Sequence, residues 1–152
     1  MSWHPHVTVA AVIEREQKFL LVEEQVENYR VFNQPAGHWE LGETLIEAAQ
    51  RETLEETGWE FYPAALVGIY CWKHPHLDET FLRFTLCGEC SSERVHEDLD
   101  EGILHAGWYS AGTIFDLPEQ RLRSTMVTHS IRDYLDGNRY DLDLIRTIQQ
   151  TW

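Results

Sequence analysis

The stretch GHWELGETLIEAAQRETLEETGW, Gly37 to Trp59, carries six glutamates and a single arginine. Its middle has helical spacing, and Gly58 supplies a common helix stop. On a wheel of about 100° per residue, Leu45, Ala48 and Ala49 share one face, and Glu52, Glu55 and Glu56 continue nearly the same stripe. A face that begins apolar therefore ends acidic. Most Glu-rich helices are simply solvated, but two features argue against that here. Carboxylates at i, i+3 and i+4 repel one another, and Arg51 is the only Lys or Arg between Arg30 and Lys73. Arg51 lies four residues after Glu47 and four before Glu55, a spacing that predicts a bridge to both. A divalent cation relieves the remaining repulsion. Oxygen ligands on a rigid helix suit Mg²⁺ or Mn²⁺, ions that keep several waters and accept phosphate oxygens.

The rest of the composition narrows the partners. The 152 residues are expected to form one domain, 1–152, large enough for a hydrophobic core. A net charge of −14 argues against nucleic acid and anionic lipid as partners, since both repel such a surface. A small anionic substrate faces the same repulsion unless cations intervene. No apolar run has the length of a membrane span, and MSWHPHVTVA lacks the basic start of a signal peptide. Cys71, Cys87 and Cys90 fit reduced thiols better than a disulfide framework, so a cytoplasmic protein is expected. Cys87 and Cys90 form a CxxC with no second pair to complete a zinc site. His4/His6 and His74/His76 alternate at strand spacing, which places each pair on one sheet face without a third ligand.

Periodicity predicts strands at HVTVAAVI and FLLVEE around a polar turn at EREQK. AALVGIYCWKH and TFLRFTLCGEC read as a second pair, joined through Pro75 to Glu79, and AGWYSA as a short strand. AGTIFDL and RLRSTMVTHSIRDYLDG read as helices, the second ending near Gly137. The mixture predicts an α/β protein with helices on the faces of a sheet. Tyr29, Phe32, Trp39, Trp72 and His74 are candidates to stack on a substrate ring, and Arg30 and Arg83 to contact phosphate.

The order Gly37, five residues, Glu43, seven residues, Arg51-Glu52, two residues, Glu55-Glu56, one residue, Gly58 resembles the 23-position signature of the Nudix hydrolases. Thr53 and Trp59 stand where that signature prefers aliphatic residues. PHVTVA, KFLLVEE, NQPAGHWELGETLIEAA, FLRF and SIRDYLDGNRY are similar, in order, to one branch of the family, a group of bacterial phosphatases. The resemblance implies a mixed sheet sandwiched between helices. It also implies hydrolysis of a phosphoanhydride in nucleoside di- or triphosphates or related thiamine-type and hydroxymethylpyrimidine diphosphates. By position, Glu52, Glu55 and Glu56 match the metal-binding glutamates, and Gly37 the glycine whose carbonyl reaches the metal. Glu43, Arg51 and Gly58 match positions that hold the motif's shape. The general base is expected to be Glu55 or Glu52, or an acid of the distant loop HEDLDEG, where Glu101 is the choice. Partners are expected to be small molecules, with the protein a monomer or homodimer. Two other readings stand beside this one: an ADP-ribose pyrophosphatase or oxidised-nucleotide sanitiser, and a non-catalytic nucleotide sensor. The presence of all three glutamates disfavours the sensor.

Overall fold

The β-branched alternation of HVTVAAV forms strand β1 (His6–Val12), which lies inside a sheet with five successive buried residues at its end. This and all later geometry come from a computed structural model that describes residues 2–148. The ends of the domain expected over 1–152 lie outside the described residues. Seven further strands follow: β2 (Glu14–Arg15), β3 (Lys18–Val26), β4 (Tyr29–Asn33), β5 (Ala36–His38), β6 (Phe61–Lys73), β7 (Thr80–Cys90) and β8 (Ile103–Ser110). Among the described residues, three α-helices, α1 (Leu45–Thr57), α2 (Ala111–Phe115) and α3 (Met126–Leu135), and two short 3₁₀ turns, Glu119–Arg121 and Leu142–Leu144, complete the order. One sheet runs β5-β1-β7-β6, with β1 and β7 parallel and the other pairs antiparallel. In the second sheet β3 is central, paired with β8, β2 and β4.

Alternation along β1 divides the core. Val9 and Ala11, with Leu86 of β7, pack on Ala48 and Ala49 of α1. Val12 and Cys87 face the opposite way, toward Val127 and Ile131 of α3. The result is a mixed sheet between helices, as the sequence implied. Among the described residues, no helix is long and apolar enough to cross a membrane. All three cysteines are free, with Cys87 and Cys90 buried.

Three local expectations need correction. The last helix begins at Met126, not Arg121, because Leu122 bridges Phe32 and the Arg123 N–H donates to the Phe32 carbonyl at 2.8 Å. That pairing draws 122–124 alongside β4 and leaves only a 3₁₀ turn at Glu119–Arg121 before it. His74 and His76 lie in the turn after β6 rather than on a strand face. There His74 Nδ1 accepts from the backbone N–H groups of His76 and Leu77, both at 3.1 Å. Glu47 does not reach Arg51. It forms a capping box with Thr44, whose hydroxyl accepts from the Glu47 N–H at 3.1 Å while Glu47 Oε1 accepts from the Thr44 N–H at 2.8 Å.

At the other end of α1, Gly58 is left-handed at φ 82° and donates its N–H to the Leu54 carbonyl at 2.9 Å. A Cβ at this position would run into the His96 carbonyl. Gly58→Ala should therefore cost about 2 kcal/mol or more, from left-handed strain plus displacement of 95–96. Denaturant unfolding would measure it, and a loss under about 0.5 kcal/mol would contradict this account of the helix stop.

Candidate active site

The buried face of α1 is made of Ala48, Ala49, Glu52, Thr53, Glu56 and Thr57. Thr53 and Thr57 fit there because each hydroxyl donates to the carbonyl one turn back, at 2.7 and 2.6 Å. Thr53 thus fills an aliphatic position without an unpaired hydroxyl. Trp59, the other departure from the signature, packs edge-on against Trp108 at 5.5 Å. Glu52 and Glu56, four residues apart, are the carboxylates on this face. Glu55 lies off the stripe, its side chain 43% exposed and 3.3 Å from Arg51.

Each buried carboxylate meets strand β5. Glu56 Oε1 accepts from the Ala36 N–H at 3.0 Å. Glu52 lies over Gly37, where any Cβ would overlap its carboxylate. Glycine is needed there for space, not for an unusual φ. Arg51 gathers the surrounding acids. Its Nε and Nη2 donate to both oxygens of Glu43 at 2.9 and 2.8 Å, a two-point pairing. Nη2 also donates to the His38 carbonyl at 3.0 Å, and Nη1 to Glu52 at 2.6 Å.

Charge and burial compete at these groups. The Arg51 hydrogen bonds hold Glu43 below the usual carboxylate range. Glu52 moves upward, because burial outweighs its pairing with Arg51. Glu56 is pushed up to about 9 by burial, with Glu24, Glu52 and Asp100 adding repulsion. As placed, Glu52 turns to Arg51 and Glu56 to the Ala36 amide. Among the described residues no three His, Cys, Asp or Glu side chains form a group that could hold a metal. The donor chemistry nevertheless fits a hard divalent cation. It consists of oxygens alone, and buried Glu56 ionises readily only beside a positive charge.

Glu52 and Glu56 open onto a cleft of about 1160 Å³ walled by the first sheet, by β3 and β4 of the second, and by the segment that precedes α3. Gly37, Glu52, Glu56, Glu101, Arg83 and Trp72 line it; Glu55, Trp39 and Arg30 do not. Trp39 is fixed outside by its indole N–H, which donates to the Glu43 carbonyl at 2.7 Å. Arg30 is exposed and pairs with Glu23 at 3.3 Å. Of the other aromatic candidates, Tyr29 and His74 line the cleft and Phe32 is buried in the core. Glu101 is exposed on the loop before β8, next to Gly102 at φ 90°. The loop is tied to α1 where the Asp100 N–H donates to the Glu55 carbonyl at 3.0 Å.

Arg83, one of two residues offered as phosphate contacts, is 3% exposed. Its Nη2 donates to Asn33 Oδ1 at 3.1 Å and to Gln34 Oε1 at 2.8 Å. Burial lowers it to about 10, while Glu24 and Glu56 act on it from beyond ion-pair range. Sequence reasoning passed over Asn33 and Gln34. It also passed over a chain in which Glu79 pairs with His6 Nε2 at 3.0 Å and His6 Nδ1 meets His38 Nε2 at 3.2 Å. The signal for His38 was its position directly after Gly37.

Comparison with known proteins agrees with this architecture. The family model of the NUDIX domain matches residues 4–128. The phosphatase NudJ of Escherichia coli (strain K12) is 44% identical over 142 residues, 93% of this chain and 90% of that protein. A solved NUDIX hydrolase from Nitrosomonas europaea superposes with a TM-score of 0.90 at 45% identity, covering 95% of this chain and 97% of its own. An ADP-ribose pyrophosphatase from Streptococcus suis 89-1591 superposes at 0.67 with 18% identity, over 91% and 97% of the two chains, a likeness of fold alone. The chain belongs to the Nudix hydrolase family and is a hydrolytic enzyme.

Proposed function

We propose that the chain, acting as a single domain over 1–152, is an Mg²⁺- or Mn²⁺-dependent phosphatase. Its substrates are nucleoside di- or triphosphates or related thiamine-type and hydroxymethylpyrimidine diphosphates. The observation that carries this reading is that Glu52, Glu56 and Gly37 line a cleft together with Arg83 and Trp72. The 44% identity to a protein named as a phosphatase supports it. Glu52, Glu55 and Glu56, with the Gly37 carbonyl, would hold the cation. When bound, it would offset the phosphate charge and make a nearby water more acidic.

The protein's own groups divide the remaining work. Arg51 and Glu43 keep β5 and α1 in register, so that Glu52 stays over Gly37. Glu52, Glu55 and Glu101 are the candidates to take a proton from water. Glu52 and Glu55 both accept from Arg51, whereas Glu101 has no such partner among the described residues and faces the cleft. That freedom favours Glu101 as the base. On the substrate side, Trp72 offers a ring face and Arg83 a charge. Arg30 and Trp39 lie outside the cleft, whereas Trp72 and Arg83, together with Tyr29 and His74, line it. The partners are small molecules, and a monomer or homodimer suffices for the site.

EDTA should abolish turnover, and Mg²⁺ or Mn²⁺ should restore it; full activity in metal-free buffer would rule out the mechanism. Glu56→Gln preserves shape and the Ala36 hydrogen bond but removes the charge. Its kcat should fall about a hundred-fold or more, while thermal unfolding shows no loss of stability. Glu47→Gln, confined to the helix cap, should leave kcat near wild type. Equal kcat for Glu56→Gln and wild type would show that the face is wrongly assigned. Product analysis tests the substrate class. Orthophosphate released from a thiamine-type or nucleoside diphosphate is expected, and AMP with ribose phosphate from ADP-ribose as the main products would overturn this reading.

A further inference from the structure

Arg83 is a buried cation without an anion. Among the described residues no carboxylate lies within ion-pair distance of it, in contrast to Arg51 with its four acidic neighbours. Only Nη2 is satisfied, and by two neutral amides. Nε is buried with no partner, and no hydrogen bond from Nη1 occurs among the described residues. Buried charges are ordinarily paired, since an uncompensated one costs several kcal/mol. A guanidinium that lines a cleft with N–H groups unpaired therefore has donors to offer an anion.

The surroundings make it a built site. Gln34, fully buried, accepts from Arg83 and donates its own amide N–H to the Val127 carbonyl at 2.9 Å, which fixes the direction of its oxygen. The sheet register then orders what lies on each side. Arg83 faces the cleft beside Thr8, and His38 is one strand further toward β5, where the acids of α1 approach. Phe81 is two residues earlier on the same face, about 7 Å along the strand. Phe81 is flanked by His6 (ring centroids 4.9 Å, stacked) and Trp72 (5.7 Å, tilted). The sequence across the cleft is thus carboxylates, guanidinium, aromatic rank.

We infer that Arg83, held by Asn33 and Gln34, is the seat for the phosphate that bears the organic group, with an aromatic head lying on Phe81 and Trp72. This rests on the phosphatase reading and adds a direction to it. The terminal phosphoryl group points to the acids, and the monophosphate product keeps its grip on Arg83. A purely structural Arg83 would instead serve only to link β7 to the end of β4.

The test uses phenyl phosphate as probe in EDTA-containing buffer, so that neither turnover nor metal enters. In wild type, the ¹⁵N guanidinium resonances of Arg83 should shift saturably with the probe. Arg83→Met should bind it at least about ten-fold more weakly, the scale of one charge-assisted contact. Asn33→Asp supplies an internal counter-ion and should weaken binding similarly without lowering Tm. If Arg83→Met fails to fold, Asn33→Asp decides alone. Wild-type affinity in the variants that fold, or an unmoved Arg83 signal during binding, would overturn the seat. Failure of the protein to hydrolyse any diphosphate while the seat binds normally would instead overturn the phosphatase reading.

Discussion

One guanidinium holds the acidic motif in shape. Arg51 joins three separate pieces of chain: the β5 backbone through the His38 carbonyl, the loop before α1 through Glu43, and α1 itself through Glu52 and Glu55. No other Lys or Arg lies in 31–72 to share the task. Strand β5, which carries Gly37, is thereby pressed onto α1, close enough that a Cβ at position 37 would overlap Glu52. Removing one member of such a partly buried group leaves the others uncompensated, which costs more than never having formed it. Of the two acids on the inward face, Glu52 is tolerated because it shares this cation with Glu43 and Glu55. Glu56 lies outside its reach, and is the carboxylate most strongly held toward the neutral form.

Arg51 and Arg83 show how one residue type serves opposite ends. The first is saturated by its own chain and acts as scaffold. The second is given only neutral acceptors, which orient it without satisfying its charge. Their difference was half legible in the sequence. The spacing of Arg51 to Glu55, and the shortage of other cations, marked it as a bridging residue. Arg83 sits in TFLRFTL, where alternation identifies a strand but cannot say that one face meets Asn33 and Gln34, some fifty residues earlier in the chain.

The same limit explains the other departures. Long strands with strong alternation and the glycine-bounded helix were readable, because their signals are local. Strands β4 and β5 were not. YRVFN has two exposed residues followed by three buried ones, and AGH is only three residues long, so neither alternates clearly. The wheel put Glu55 with Glu52 and Glu56, whereas Thr53 and Thr57 share the buried face by returning their hydroxyls to the helix backbone. Glu47 had two possible partners four and three residues away, and the cap prevailed. The start of α3 moved by five residues because a pairing with β4 draws Leu122 and Arg123 into extended backbone.

The tie between α1 and the loop that carries Glu101 has a mechanical consequence. A helix ends with carbonyls that its own backbone cannot satisfy. Here that loop supplies the donors: Asp100 to Glu55, Arg94 Nε to Thr57, and Val95 to Gly58, at 3.0, 3.1 and 2.8 Å. Arg94 also brings positive charge to the negative end of the helix dipole, where Glu55 and Glu56 lie on the unfavourable side. The last turn of α1 and the 94–100 segment therefore order and fray as one cooperative unit. Opening the loop unpairs the end of the helix, so the rigidity of the acidic face and the position of Glu101 are one mechanical property.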